Sequence, residues 1–333
     1  MPRRARIDAP GALHHIICRG IERRVIFRKD LDRHDFVRRL GMILSETQTP
    51  CYAWALLPNH FHLLLRTGNV PISSVMRRLL TGYAGSFNRR YRRHGHLFQN
   101  RYKSILCQED AYFLELVRYI HLNPLRAQVV ESMKDLDDFE FCGHKALVGK
   151  IPHEWMDTET VLSLFGRRVM EARKRYNAYI EEGVKSGRRP DLVGGGLIRS
   201  SGGWQAVKTL RSRRIHTRGD ERILGDSDFV QRVLEEQNEK LENRCRLQSG
   251  GIDFHRAVKR VEELYGVQIA DLRRGDKRPV SVLARGVLCY WVVAELGMKG
   301  TDMARLLRIG QPAVSRSVRR GQKIVQETNL QLI

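Results

Sequence analysis

The stretch from Cys51 to Arg66 constrains the fold most, because two short apolar segments are separated there by only two residues. The segments are CYAWALL (51–57) and HFHLLLR (60–66), and both are rich in strand-forming residues. Pro58 and Asn59 between them are typical turn residues, and so short a connection joins antiparallel neighbours. The sequence therefore predicts a β-hairpin centred on Pro58 and Asn59.

The second strand of this hairpin carries two histidines. Side chains alternate between the two faces of a strand, so His60 and His62 point the same way. Phe61, Leu63 and Leu65 take the other face and can enter a core. Two interpretations stay open at this point: a pair of metal ligands, or histidines that are hydrogen-bonded core residues. The chain has neither eight βα units nor mostly strands, which argues against barrel hydrolases and cupins.

The surrounding pattern places the hairpin in an α+β fold. Residues 13–19 (LHHIICR) predict a first strand, and apolar spacing predicts helices over 30–47 and 72–91. A short strand near 104–107 follows, and then a helix from Glu109 or Asp110 that ends at Asn123, because Pro124 disfavours helix in its predecessor. The order β-α-β-β-α-β-α predicts a ferredoxin-like split arrangement with an added helix.

The charge of the chain indicates a polyanionic partner. It has 59 Lys and Arg against 37 Asp and Glu, a net charge of +22. Arginines cluster at Arg89–Arg93 and Arg211–Arg214, and arginine suits forked contacts with phosphate. Nucleic acid is the partner that this composition favours, and a basic surface that only aids solubility is the alternative.

The cellular compartment and the redox state of the cysteines are predicted from features that the sequence lacks. The N-terminus lacks an apolar signal core, and no run approaches the length of a membrane span. We expect a soluble bacterial protein of the cytoplasm, associated with the nucleoid. The cysteines form no CxxC pair and are expected to be buried free thiols. They are Cys18, Cys51, Cys107, Cys142, Cys245 and Cys289.

A tyrosine and an asparagine could act together with the two histidines. Tyr119 and Asn123 are four residues apart in the predicted helix and so share a face. A phenol, with a pKa of about 10, is a poor nucleophile at neutral pH unless a divalent cation polarises its target. Two imidazoles, an amide oxygen and this tyrosine are the required parts. Tyr112 is a rival nucleophile, but Leu116 stands four residues after it.

His121 lies about 200° around the helix from Tyr119, so we expect a structural or DNA-facing role for it.

Four motifs carry a resemblance to a known family. They are HIICRGIERRVIF (15–27), LLPNHFHLLLR (56–66), GHLFQNRYKS (95–104) and VRYIHLNPLRA (117–127). Over about residues 7–150 the chain resembles the REP-associated tyrosine transposases, which belong to the HUH endonucleases. In that family the nuclease domain cuts single-stranded DNA.

The resemblance implies a role for each matching residue. His60, His62 and Asn123 would bind Mg²⁺ or Mn²⁺, and Tyr119 would attack a phosphodiester of single-stranded DNA. The products would be a 5′-phosphotyrosine link and a free 3′-hydroxyl, and the substrate would be a palindromic hairpin with a single-stranded flank. In insertion-sequence relatives the third ligand is often Gln, so the shorter Asn123 requires the helix to lie closer to the sheet.

Two further segments of this part are candidates for DNA contact. Gln99, Arg101 and Lys103 alternate with aromatic residues, a pattern that suits stacking and phosphate contact with a single strand. Arg19 is suited to bind a phosphate, and Gly20 would allow close approach of the backbone. The alternative for the first group is an amphipathic strand with solvated charges.

The C-terminal part predicts a second DNA-binding module. Residues 253–325 resemble the DNA-binding domain of the replication initiator DnaA, with a helix, a glycine-containing turn and a basic helix in the order of a helix-turn-helix. The DnaA signature D-H-[TS]-T is replaced by QPAVS (311–315), so the DnaA box is not implied as target. A helical protein–protein module is the alternative. The side chains expected near duplex DNA are Gln311, Ser315, Arg316, Arg319 and Arg320.

These observations predict three parts. Residues 1–150 form the HUH domain, 151–203 a helical connector and linker, and 204–333 a helical DNA-binding domain. The expected function is a metal-dependent tyrosine endonuclease and strand transferase for single-stranded DNA. The alternative is a non-catalytic, sequence-specific DNA-binding regulator with a relic HUH domain. RNA processing would share the charge but offers no role for a nucleophilic tyrosine.

Overall fold

The computed structural model describes residues 7, 11–68, 70–185, 187, 189, 192, 220–236, 247, 250–273, 276 and 278–332. The chain divides into two compact units, Met1–Arg232 and Val233–Ile333. The Arg211–Arg214 cluster, Cys245 and nearly all of the predicted linker at 186–203 lie outside the described residues.

The first unit is built on a five-stranded sheet with the order β2-β3-β1-β4-β5. The first four strands pair antiparallel, and β2 and β3 form the predicted hairpin on either side of Pro58 and Asn59. The strands are β1 (Leu13–Arg19), β2 (Cys51–Leu57), β3 (His60–Arg66), β4 (Lys103–Cys107) and β5 (Ile223–Leu224).

Helices cover both faces of this sheet. One face packs against the first two helices, where the ring of Phe36 lies 4.7 Å from that of Phe61 and 5.2 Å from that of Tyr83. The third helix packs on β2 and β3. The helices are α1 (Asp30–Thr47), α2 (Ile72–Arg90), α3 (Glu109–His121), α4 (Asn123–Arg126), α5 (Met133–Asp138), α6 (His144–Leu147), α7 (Thr158–Ser163) and α8 (Val169–Val184). The predicted α+β class is confirmed, whereas the ferredoxin-like arrangement stays a prediction.

The end of α3 differs slightly from the sequence prediction. α3 ends at His121, and a new helical turn, α4, begins at Asn123. Pro124 lies in the first turn of α4, where its missing N–H would have no helical partner anyway. The chain can therefore continue in a helical direction past the proline.

The fifth strand was not predicted, and it adds residues from far along the chain to the sheet. β5 pairs parallel with β4, through bonds from Leu106 N to Arg222 O (2.8 Å) and from Gln108 N to Leu224 O (2.7 Å). The side chain of Gln108 also donates to Asp226 and accepts from its backbone N–H. A two-residue strand has no periodicity for a sequence pattern to reveal. The predicted domain limits at 150 and 203 stay predictions.

A series of buried, hydrogen-bonded side chains connects α8 to α3. The carboxylate of Asp137 accepts from His144 Nε2 at 2.9 Å, and the Tyr176 hydroxyl lies 2.8 Å from the Nδ1 atoms of both His144 and His121. Because a hydroxyl has one hydrogen, it donates to one imidazole and accepts from the other. With His144 donating to Asp137, the hydroxyl donates to His144 and accepts from His121. His121 is thus fully buried and hydrogen-bonded to Tyr176, which agrees with a structural role.

The second unit is helical, and glycines mark its breaks as the sequence predicted. Gly266 (φ 62°) and Gly297 (φ 79°) adopt left-handed backbone at helix ends, and Gly310 precedes the last helix. The helices are α9 (Phe254–Tyr265), α10 (Ile269–Arg273), α11 (Pro279–Tyr290), which continues as a π-helical turn (Trp291–Glu295), α12 (Gly300–Leu307) and α13 (Gln311–Thr328).

A close helix crossing in the second unit joins α11 and α13 at two glycines. A Cβ on Gly321 would lie only 2.0 Å from the carbonyl oxygen of Gly286. Val287, Trp291 and Met303 of the same unit are fully buried in one hydrophobic core. The crossing therefore depends on the absence of a side chain at Gly321.

The cysteines of the described residues are buried thiols outside any disulfide, namely Cys18, Cys51, Cys107, Cys142 and Cys289. Within the described ranges, no helix has both the length and the apolar character that crossing a bilayer requires.

Candidate functional site

The predicted histidine pair lies on the face of the sheet that α3 covers. In the β1–β3 register, Arg19 stands opposite His60 and Ile17 stands opposite His62. Directly opposed residues project to the same face, so the guanidinium of Arg19 neighbours the imidazoles. His62 is buried and His60 is partly exposed. Phe61 on the other face is fully buried, as the alternation predicted.

Each histidine of the pair uses one ring nitrogen in a hydrogen bond. His62 Nδ1 lies 2.9 Å from His15 Nε2, and His60 Nδ1 lies 2.7 Å from Asn59 Oδ1. The Nε2 atom of each imidazole is therefore the nitrogen that remains for another partner. Sequence reasoning missed both His15 and Asn59. The signals were the His14-His15 pair of the first strand and the position of Asn59 next to His60.

Burial keeps the two imidazoles uncharged. Desolvation by burial, with a smaller contribution from the charge of Arg19, lowers the pKa of His60 to about 4. Burial, followed by the proximity of His15, His60 and Arg19, lowers the pKa of His62 well below its usual value. At neutral pH both rings are thus in the neutral form that binds metal ions.

α3 places Tyr119 beside this pair. The centroid of its half-buried ring lies 5.8 Å from that of His62 and 5.9 Å from that of His15. Asn123, one turn later, is 8% exposed and donates from Nδ2 to the carbonyl of Tyr119 at 2.9 Å. That bond uses the amide nitrogen, so the amide oxygen is the atom that remains to accept or to coordinate.

The donor atoms of the predicted metal site fit a divalent cation. Two neutral imidazoles offer Nε2 and Asn123 offers an amide oxygen, and all three side chains are oriented through their other polar atom. Within the part of the chain that the structure describes, no group of three His, Cys, Asp or Glu could hold a metal. A site of His60, His62 and Asn123 would leave several positions for water or phosphate, as Mg²⁺ prefers.

Arg126 is a further residue at this site that sequence reasoning missed. Its guanidinium carbon lies 5.7 Å from the centroid of the Tyr119 ring, and its Nη2 donates to the carbonyl of Gly183 at 3.1 Å. Its Nε and Nη1 are buried and have no acceptor among the described residues. Burial lowers the pKa of Arg126. The available signal was its position seven residues after Tyr119, two helical turns along.

The predicted DNA contacts of the first unit lie at the same end of β1. Gln99 N donates to Arg19 O at 2.9 Å, and Lys103 stands opposite Ile17 in β4. The side chains of Arg19, Gln99, Arg101 and Lys103 are all exposed.

Gly20 is buried, and the loop itself requires a glycine there. A Cβ on Gly20 would lie 2.1 Å from the carbonyl oxygen of Arg24. The N–H of Gly20 donates to Asn59 O at 2.8 Å. Contact between Gly20 and DNA stays a prediction.

In the second unit, the predicted side chains share the exposed face of α13. The opposite face of the helix is buried through Val314, Ser317 and Gly321. The exposed residues are Gln311, Ser315, Arg316, Arg319 and Arg320.

The fold and this group of side chains define a class: an α+β domain that holds a histidine pair and a tyrosine together on one face of its sheet. Residues 10–123 match the model of the family described as IS200-like transposases. The match covers about a third of the chain and includes His60, His62, Tyr119 and Asn123. The resemblance stated from the motifs is confirmed for this part. In general terms, it supports a DNA-processing enzyme of the HUH type.

A solved structure described as a REP-associated tyrosine transposase bound to a REP hairpin is also similar. It shares 18% identity, its TM-score is 0.38, and the match covers 46% of this chain and 91% of that one. No curated protein sequence matches the chain. The likeness of residues 253–325 to DnaA stays a prediction.

Proposed function

We propose that the first unit is a metal-dependent endonuclease and strand transferase for single-stranded DNA, with Tyr119 as its nucleophile. One observation carries the proposal: in a stretch matched to IS200-like transposases, the ring of Tyr119 lies within 6 Å of that of His62. Palindromic repeat hairpins with a single-stranded flank are the proposed substrate.

The chemistry is a transesterification at one phosphodiester. The Tyr119 oxygen forms a bond to phosphorus, the bond from phosphorus to the 3′-oxygen breaks, and that oxygen leaves as a 3′-hydroxyl after taking a proton. The phenol proton passes to solvent. A strand whose 3′-hydroxyl attacks the phosphotyrosine restores the phenol and joins the DNA.

His60, His62 and Asn123 would hold Mg²⁺ or Mn²⁺, which would supply positive charge to the phosphate. The histidines are suited to this because burial lowers their pKa values and because Nε2 of each is the ring nitrogen that the hydrogen bonds of Nδ1 leave for a cation. For His62 this requires the tautomer in which Nδ1 donates to His15. Arg19 and Lys103, exposed on the same face, would bind flanking phosphates of the strand.

The second unit would bind duplex DNA. The exposed face of α13 presents Arg316, Arg319 and Arg320, and its N-terminal turn presents Gln311 and Ser315. A helix with such a face is the size that enters a major groove.

The test is a substitution that removes one oxygen. Tyr119→Phe should abolish the covalent adduct with a labelled single-stranded oligonucleotide under denaturing electrophoresis, and leave DNA binding nearly intact. Tyr112→Phe is the matched control, and it should form the adduct as the wild type does. An adduct that persists in Tyr119→Phe and disappears in Tyr112→Phe would assign the nucleophile to Tyr112. A wild-type protein that binds DNA but forms no adduct with Mn²⁺ would favour the non-catalytic regulator.

A further inference from the structure

The hairpin turn that precedes the histidine pair also holds a loop that follows β1. The carbonyl of Pro58 accepts from the N–H groups of Ile26 (2.8 Å) and Phe27 (3.1 Å), and that of Asn59 accepts from Gly20 N. The side chain of Asn59 adds two more bonds. Its Nδ2 donates to Arg23 O at 3.1 Å, and its Oδ1 accepts from His60 Nδ1 at 2.7 Å.

The two bonds of the Asn59 amide determine each other. If the amide were reversed, its oxygen would face the carbonyl oxygen of Arg23, and two acceptors cannot form a hydrogen bond. With the nitrogen on Arg23, the oxygen must face His60. An amide oxygen only accepts, so the proton of the neutral His60 ring is on Nδ1. The lone pair of the ring is then on Nε2, the atom required of a metal ligand.

The loop on the other side of Asn59 has an unfavourable backbone. Glu22 and Arg23 both have left-handed φ angles, 52° and 61°, although neither is glycine. Such a conformation is unfavourable for a residue with a side chain and persists where other contacts hold it. Residues 22–25 are exposed, so core packing does not hold them. The bond from Asn59 to Arg23 O is made at one of these left-handed residues.

The loop also presents positive charge. The side chains of Arg23 and Arg24 are exposed, and Arg24 pairs with Glu22 at 2.8 Å. A loop of this kind, with two guanidinium groups, is suited to contact the phosphates of a DNA strand.

We propose that Asn59 is a positioning residue that couples the arginine-bearing loop 21–25 to the metal-binding form of His60. The amide fixes the tautomer of His60 and holds the carbonyl of Arg23 at the same time. Phosphate contact on the loop and a cation on His60 thus favour the same position of one amide, and each stabilises the other. The inference rests on the proposed function in taking His60 as a metal ligand.

The first experiment needs neither metal nor DNA. In the full chain with ¹⁵N-labelled histidine, the ring of His60, assigned by comparison with His60→Gln, should carry its proton on Nδ1. Asn59→Leu removes both bonds and should give a mixture of tautomers. Asn59→Asp keeps an acceptor for His60 and should preserve the Nδ1–H form. Asn177→Ala, which removes a partly exposed asparagine whose Nδ2 donates to Glu181, is the matched control and should leave the tautomer of His60 unchanged.

The second experiment separates the two bonds of the amide. Amide exchange at residues 21–25, read by mass spectrometry, should be faster in both Asn59 variants, because neither can donate to Arg23 O. Mn²⁺ should slow this exchange in the wild type and in neither variant. The Mn²⁺ dissociation constant should rise roughly 10–100-fold in Asn59→Leu, as is typical when a ligand loses its orienting partner, and stay near the wild-type value in Asn59→Asp.

The outcomes distinguish this inference from the proposed function. An Nε2-protonated His60 in the wild type, or spectra and exchange in Asn59→Leu identical to the wild type, would overturn the role of Asn59. A wild type that binds no Mn²⁺ and forms no DNA adduct would refute the proposed function, and the metal-free spectra would still decide the role of Asn59. Equal thermal midpoints of the variants and the wild type would exclude global unfolding as the cause.

Discussion

His60, His62 and Asn123 have one property in common: a hydrogen bond to one of their two polar atoms determines what the other atom can do. Asn59 and His15 occupy the Nδ1 atoms of the histidines, and the carbonyl of Tyr119 occupies the Asn123 nitrogen. His60 and Asn123 therefore each offer a lone pair without a rearrangement, and His62 does so when its Nδ1 donates to His15. A sequence pattern can name the three residues, but the partners that orient them come from other strands and from the helix backbone.

The buried histidines predict that the protein loses stability in mild acid. The folded-state pKa of His60 is lowered to about 4, and those of His62 and His121 lie well below the usual value. In the unfolded chain these rings take up protons below about pH 6.5, which the folded state does not do. Stability is thus fully present above that pH and falls as the pH drops towards 4. Each ring contributes a slope of at most about 1.4 kcal/mol per pH unit.

Urea unfolding at pH 7.5, 6 and 5 measures this effect at pH values where most carboxyl groups stay ionised. We expect the urea concentration at the unfolding midpoint to fall steadily from pH 6.5 to 5. A midpoint that stays constant or rises over this interval would contradict the assignment of neutral, buried rings.

Among the elements, those with a repeating pattern were predictable from the sequence. The hairpin strands alternate or are fully apolar, α1 repeats its apolar residues every three to four positions, and glycines mark the breaks in the second unit. β5 was missed because two residues contain no repeat, and its place is set by bonds to Leu106 and Gln108 on a strand more than a hundred residues earlier. The sequence predicted one helix ending at Asn123, whereas α3 ends at His121 and α4 begins at Asn123. The difference arises because a proline is tolerated in the first turn of a new helix.

The junction of α3 with α8 should depend on one hydroxyl. Tyr176→Phe removes the oxygen that lies 2.8 Å from the Nδ1 atoms of both His121 and His144. Leaving buried polar atoms without partners typically costs about 1–3 kcal/mol, so chemical denaturation should show a loss of this size. Tyr179→Phe, which removes a partly exposed bond to Glu115, should cost less. Equal losses of stability in the two variants would show that the buried hydrogen bonds of Tyr176 contribute no more than the partly exposed bond of Tyr179.

The crossing of α11 and α13 should not tolerate a methyl group. In Gly321→Ala the new Cβ would meet the backbone of Gly286 at 2.0 Å, so the helices must separate. Overpacking of this kind typically costs about 1–3 kcal/mol, and thermal unfolding of the second unit should occur at a lower temperature. Gly300→Ala is the control, since no atom lies within 4 Å of its Cβ position and alanine favours helix. A Gly321→Ala variant as stable as Gly300→Ala would contradict the close crossing.

At the scale of the whole molecule, the net charge of +22 is shared by two units with different proposed targets. A chain that ends after Arg232 should keep adduct formation on a short single strand and lose affinity for duplex DNA. Its log–log salt slope for duplex binding should decrease by about 0.9 for each DNA phosphate that the shortened chain no longer neutralises. The charged residues removed from α13 are Arg316, Arg319, Arg320 and Lys323.

The position of the cut matters in this experiment. A chain that ends near Gly183 would also lack β5 and would expose the outer edge of β4, so its loss of activity would have two causes. Filter binding of duplex DNA over a range of salt concentrations measures the effect of the cut after Arg232. Unchanged affinity and slope would indicate that the second unit binds a protein partner instead.

The parallel pairing of β5 with β4 also has a consequence for how the protein is made. β4 ends at Cys107 and its neighbour begins at Ile223, so the ribosome must synthesise more than a hundred residues before the sheet can close. At typical rates of 5–20 residues per second this takes roughly 5 to 25 s. During that time the nascent chain presents the unpaired outer edge of β4, a surface that readily pairs with other strands. The nascent chain is therefore most prone to aggregation before its second unit has been synthesised.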